Sequence, residues 1–349
     1  VARAVFRLMT ANLTWGWAVG SALLLFVQAT LLVLVAPWFA GLTEWVAARL
    51  EGRTAFRISA RWREIRHQGH RPCLRPPAGQ ASSMACRSAL VLAVLSCALV
   101  PVFTVSAPGF VAPGLFLVCC VLVAGMVLLD LPQTLQGGVA AWWGCAHLLA
   151  DGLVLPVLAP VALMAGTTRS LPVFLAGLRG ASPLLDGAPY VLAGFAVFMV
   201  VALAPWGDEA ERRVACLSGP DRAIWMLATD CLNLCWVTLA GDLAWAGSLA
   251  SPGSGDVQDW LSDCIAAAGL WAGKILAAAV LLGLSRLVVL TARRRVRVRL
   301  GVIFLFGLLA WQMTWAASSQ PVVLDEGAAA PAAEPQSRQG QVSEHGGVS

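Results

Sequence analysis

Residues 264–290 read CIAAAGLWAGKILAAAVLLGLSRLVVL, and residues 300–317 read LGVIFLFGLLAWQMTWAA. Between them, at 291–299, lies TARRRVRVR, which holds five arginines. Each apolar run is near the roughly 20 residues a helix needs to cross about 30 Å of hydrocarbon. A cluster of arginines between two such runs marks a turn held on the cytoplasmic side. This strongly basic turn between two spans sets the class: a helical membrane protein.

The rest of the chain repeats the pattern. Similar stretches occur at about 13–36, 88–106, 110–130, 140–166, 189–206 and 223–247, making eight spans in all. The first, preceded by Arg3 and Arg7, is too long for the apolar core of a signal peptide and is read as a retained anchor. Composition agrees over 349 residues: 58% are hydrophobic, 12% are charged, and mean hydropathy is +0.75. A soluble fold this apolar could not cover its surface.

Of the 24 basic residues, 23 are arginine and one, Lys274, is lysine. Nine lie between spans one and two, from Arg49 to Arg87. Arg212, Arg213 and Arg222 lie between spans five and six, and Arg293–Arg299 between seven and eight. These three connections hold seventeen of the 24 and alternate as loops on one side must. The expected fold is therefore all-α, a polytopic bundle of about eight transmembrane helices with both termini outside. It occupies 1–317, with a cytoplasmic amphipathic loop at about 38–87 and a disordered, Ala/Pro/Gln/Ser/Gly-rich tail at 318–349. In that loop, TEWVAARLEGRTAFRISARWREI (43–65) interleaves arginines with Trp45, Phe56, Ile58, Trp62 and Ile65. Such a segment lies at an interface, against anionic lipid or a partner.

The chain lacks the usual signatures of soluble chemistry. Its ten cysteines include no C-x-x-C pair, and Cys97, Cys119, Cys120, Cys145, Cys231, Cys235 and Cys264 fall within spans, where a small apolar thiol packs well between helices. No phosphate loop, dinucleotide fingerprint or nucleophile elbow occurs. The basic loops are explained by membrane orientation, so no nucleic-acid partner is expected. Ionisable groups inside the spans are more telling, because each costs about 2.5–3.5 kcal/mol at a helix centre. Asp151 and Lys274 fall mid-span, and His147, four residues before Asp151, shares its helical face. Asp230 and Asn233 share a face of span six, and Asp242 lies near its outer end. Arg286 is close enough to the end of span seven to snorkel. Two readings stand side by side. In one, His147, Asp151, Asp230, Asn233 and Lys274 form a polar chain carrying protons part-way across the membrane. In the other, Asp151 and Lys274 are a structural ion pair.

Four stretches carry a family resemblance: APWFAGLTEWVAARLEGR (36–53), LLADGLVLPVLAPVALMAGTT (148–168), SGPDRAIWMLATDCLNL (218–234), and the pair 273–289 and 294–310 around the basic turn. The chain resembles the H-type membrane-subunit family of complex I, and within it the membrane subunit of formate hydrogenlyase and hydrogenase 4, the group 4 NiFe hydrogenases. The resemblance spans most of 13–317. It departs at Arg53–Phe56, where the family has Gly-Pro, at Trp142 and Trp143, where it has Arg-Glu, and at Ser285 or Arg286, where it has a late Glu. The resemblance implies a non-catalytic subunit of a membrane oxidoreductase, without a cofactor of its own. Iron–sulfur and NiFe centres would sit in peripheral subunits docked on the cytoplasmic face, beside antiporter-like membrane subunits in a bacterial inner membrane. By the same resemblance, docking would fall to Arg49, Arg53, Arg61, Arg63, Glu64, Asp208, Glu209, Glu211, Arg212, Arg213, Ser218, Gly219, Pro220 and Asp221. Two other functions fit the spans: a secondary transporter, and a structural anchor without proton coupling. No internal repeat and no matched pair of Gly/Pro-broken helices favours the transporter.

Overall fold

The computed structural model describes residues 15–54, 57–72, 79–105, 113–135, 138–153, 155–156, 170–179, 188–205, 214–215, 217–250, 257–287 and 292–319. Among these the protein is helical, with ten α-helices: α1 (Trp15–Leu50), α2 (Ala60–Gly69), α3 (Gly79–Leu99), α4 (Leu115–Thr134), α5 (Gly138–Gly152), α6 (Leu171–Arg179), α7 (Ala188–Ala202), α8 (Pro220–Ala244), α9 (Val257–Ser285) and α10 (Ala292–Ser319). Five are long and apolar enough to cross a membrane, over Ser21–Leu50, Gly79–Leu99, Leu115–Thr134, Pro220–Ala244 and Ser262–Ser285. Tyr190–Ala202 is a shorter apolar helix. The span expected at 140–166 corresponds to α5 in its first part; 157–166 lie outside the described residues, as do 320–349 of the expected tail.

Helix α8 is the hub. It packs against α1, α2, α3, α4, α7 and α9, while α10 closes the far side against α5 and α7. Its apolar window is 78% buried, against 28% for the windows of α1 and α9. The outer helices therefore show apolar side chains such as Phe26, Val91, Ile265 and Phe304 to the surroundings, whereas α8 touches mainly protein. Small residues permit the close approach that helix association in lipid requires. A Cβ on Gly194 of α7 would come within 2.6 Å of the Ala240 carbonyl oxygen of α8.

The first helix is longer than the sequence suggested. It runs past 36 to Leu50, so the amphipathic loop expected from 38 begins as helix. Thirty-six residues at 1.5 Å each extend about 54 Å, well beyond a hydrocarbon core. The helix runs through Pro37 and Gly41, and the Trp-Val-Ala-Ala-Arg-Leu stretch beyond them includes good helix formers and no further breaker before Gly52. There Gly52, at φ 70°, ends it. The Arg53 N–H bonds to the Ala48 carbonyl (2.9 Å) and the Gly52 N–H to that of Arg49 (3.2 Å). These two bonds form a Schellman cap, which favours glycine at the left-handed position.

Irregular backbone inside the bundle is also accounted for. Helix α3 ends at Leu99, two residues before Pro101, because proline disfavours helix in the residue preceding it. The freed groups of 100–105 are buried, and Gln28 of α1 serves them. Its amide donates to the Val100 carbonyl (2.7 Å) and accepts from the Val102 N–H (3.3 Å). Thr104 and Ala250 then form an isolated bridge, tying this segment to the turn after α8. Buried non-helical backbone is tolerated where protein satisfies it in this way.

Candidate functional site: a charged cavity around α8

A cavity of about 130 Å³ opens inside the bundle at the arginine-rich end of α8. Its polar lining comes from six helices besides α8: Thr43 and Glu44 from α1, Arg61 from α2, Asp130 from α4, Asp151 from α5, Ser285 from α9, with Arg286 just past its end, and Arg299 from α10. Helix α8 contributes Thr229, Asp230 and Asn233, and Phe39 and Trp225 supply apolar wall. Three guanidinium groups and four carboxylates thus face one small space. A volume of this size has room for several waters.

Two ion pairs organise the charges. Arg61 donates from Nε to Asp230 Oδ2 (2.9 Å) and from Nη2 to Oδ1 (3.0 Å), a two-pronged contact that fixes orientation as well as distance. Their side chains are 20% and 3% exposed. Arg299 donates from Nη2 to Asp151 Oδ1, and both side chains are only 2% exposed. The Nε and Nη1 of Arg299 are buried without a hydrogen-bond acceptor among the described residues. Removing one partner of such a pair typically costs about 3–5 kcal/mol, because the other charge is left uncompensated in a low-dielectric interior.

Lys274 is elsewhere. It donates to Asp242 Oδ1 (3.1 Å) and to the Trp245 carbonyl (2.8 Å), and its ammonium lies 5.6 Å from the centre of the Trp245 ring. Asp242 is twelve residues beyond Asp230 on α8, about 18 Å along the helix axis. The residues expected to form one polar chain, His147, Asp151, Asp230, Asn233 and Lys274, thus fall in separate places. Asp151, Asp230 and Asn233 share the cavity, while Lys274 forms a separate station near the opposite end of α8. The direct Asp151–Lys274 ion pair is replaced by two others, because α10 brings Arg299 to Asp151 and α8 brings Asp242 to Lys274. His147 is buried on α5, one turn before Asp151, but does not line the cavity.

The proposed docking residues divide similarly. Arg53 and Arg63 are exposed, Arg53 beside Glu51, and Arg49 lies over the Trp45 ring at 5.4 Å. Glu64 accepts a bond from Gln68 of its own helix (2.7 Å). Arg61 does not face outward, since it reaches into the cavity. The 218–221 turn packs on the end of α2: Gly219 (φ 57°) sits so close that a Cβ would fall 2.7 Å from the Arg71 carbonyl oxygen. Ser218 and Pro220 are partly exposed there, and the buried Asp221 accepts a bond from Ser83 of α3 (2.9 Å). Asp208, Glu209, Glu211, Arg212 and Arg213 lie outside the described residues.

Three charged residues of the cavity wall, Arg299, Glu44 and Asp130, lie outside the expected set. Arg299 was counted with the basic turn, but α10 starts at Ala292 and carries it into the bundle. Its spacing could have revealed this, since it adjoins the apolar run at Leu300. Glu44 lies beyond the end expected for the first span, and Asp130 at the end expected for the third. Gln28, a polar residue within a long apolar helix, serves the irregular backbone at 100–102 and does not line the cavity. Among the described residues, no group of three or more His, Cys, Asp or Glu is placed to hold a metal ion. Compared with known proteins, the chain matches no family model, and no curated protein shows significant similarity to it.

Proposed function

We propose that this chain is the membrane-anchor and proton-coupling subunit of a complex I-like, formate hydrogenlyase-type oxidoreductase. One observation carries the reading: Arg61 belongs to a short helix of the arginine-rich segment, yet its charge is spent on Asp230, inside the central helix. A partner that moves α2 would move a counter-ion of the buried cluster. Mechanical input at the surface is thereby linked to charge in the interior, as proton coupling by a cofactor-free subunit needs. Asp230, Asp151, Asp130 and Glu44 exchange protons through cavity water, with Arg61, Arg286 and Arg299 setting which carboxylates are ionised. The Lys274–Asp242 pair is the next station toward the other face.

In this reading the bundle has eight spans, lies in a bacterial cytoplasmic membrane and keeps both ends of the chain outside. Its arginine-rich face, including Arg53, Arg63 and the 218–221 turn, docks peripheral subunits bearing iron–sulfur and NiFe centres. Antiporter-like subunits lie alongside in the membrane. The test is purification of the tagged full-length chain from its native membranes in mild detergent. Recovery of iron–sulfur and hydrogenase-like subunits is expected. Recovery of the chain alone, with solute uptake in proteoliposomes, would replace this reading with that of a secondary transporter. A stable complex whose proton pumping survives Asp230→Asn and Asp151→Asn would leave only the anchor.

A further inference from the structure

Helix α3 presents Ala85, Ala89, Ala93 and Cys97 at intervals of four, all buried. Helix α3 packs against both α4 and α8, and small buried residues of this kind permit close approach. At its end the Cys97 sulfur stands 3.6 Å from that of Cys235, and both residues are fully buried. Cys231, also fully buried, lies one turn earlier on the same face of α8. All three are free thiols. Two sulfurs on different helices, already in contact at 3.6 Å, would close to about 2.05 Å on bonding.

The geometry points to a thiol pair, Cys97 and Cys235, that a small neutral two-electron oxidant of the peroxide class converts to a disulfide between α3 and α8. The inference stands independently of the function proposed above. In the first step the Cys97 sulfur attacks one peroxide oxygen, the O–O bond breaks, and the thiol proton leaves with the other oxygen as water. In the second, the Cys235 sulfur displaces the hydroxyl from the Cys97 sulfenic acid, and its proton completes a second water. Two S–H bonds are lost, one S–S bond forms, and peroxide is reduced to two waters. Cys231 and Cys235, four apart on one helix, compete for Cys97 rather than bond to each other. The product staples the central helix to its neighbour one turn beyond Asp230.

The test treats native membranes containing the full-length chain with hydrogen peroxide. Free thiols are then alkylated, the protein is denatured, remaining thiols are labelled with a second reagent, and the digest is analysed by mass spectrometry. Cys145, which is exposed, reports that oxidant has reached the protein. A Cys97–Cys235 linked peptide lighter by two hydrogens is expected, together with a several-fold loss of second-reagent labelling at both residues. The link should survive Cys231→Ser and disappear in Cys97→Ser and Cys235→Ser. Full labelling of both thiols after Cys145 has oxidised would overturn the proposal. So would oxidation of Cys97 to sulfinic acid without a link, or a link to Cys231 in the unmodified chain.

Discussion

Arg61 holds Asp230 in a two-pronged ion pair across two elements of opposite character. One comes from a ten-residue helix in the arginine-rich segment, the other from the most buried of the five long apolar helices among the described residues. Replacing Arg61 by Ala leaves the carboxylate without its cation and should cost about 3–5 kcal/mol. Arg61→Ala with Asp230→Asn should recover most of that loss. Thermal unfolding of the parent, the two single variants and the double variant in detergent gives the coupling energy; additive losses would mean the pair does not interact.

The Arg299–Asp151 pair separates stability from function. Either Arg299→Met or Asp151→Leu alone should destabilise strongly, while the double variant should match or exceed the parent, since apolar groups pack in place of a buried pair. If the cavity couples protons, the stable double variant should nonetheless show no proton translocation in membrane vesicles. A folded, fully coupled double variant would remove the pair from the path.

Lys274→Met leaves Asp242 buried beside the Trp245 carbonyl, with no cation to offset it. A loss of several kcal/mol is expected, relieved by adding Asp242→Asn. Proton-dependent activity in the relieved double variant distinguishes a structural clasp from a transfer station. Unchanged activity assigns the clasp.

Much of this was legible in the sequence. Long apolar runs and arginine clusters marked helices because hydrocarbon leaves few choices of structure. Asp151, Asp230 and Asn233 stood out because charge and polarity are costly there. Their partners did not stand out. Which cation meets which carboxylate depends on how helices are rotated and staggered, and Lys274 and Arg299 differ in that respect, not in composition. Helix α1 overran its predicted end because hydropathy reports where lipid stops, whereas the helix continues until Gly52 offers a cap.

Two glycines with positive φ offer a matched comparison. At Gly52 a Cβ would meet nothing within 4 Å, so Gly52→Ala should cost about 1–2 kcal/mol from backbone conformation alone. At Gly219 the Cβ would also press on the Arg71 and Pro72 carbonyl oxygens, at 2.7 and 2.9 Å. Gly219→Ala should therefore cost more and loosen the seat of α2. Limited proteolysis within the arginine-rich segment should be faster in Gly219→Ala than in Gly52→Ala; equal rates would show that this contact does not restrain the segment.

The burial of α8 bears on how the protein is made. A helix carrying Asp230 and Asp242, the least apolar of the five long ones, gains little by entering lipid unaccompanied. Arg61 is synthesised before it, but Lys274 and the covering face of α9 come after. The central helix is thus synthesised before one of its counter-ions exists. Its insertion depends on waiting for the next helix, which makes biogenesis, more than the finished fold, the stage most exposed to substitutions at Lys274.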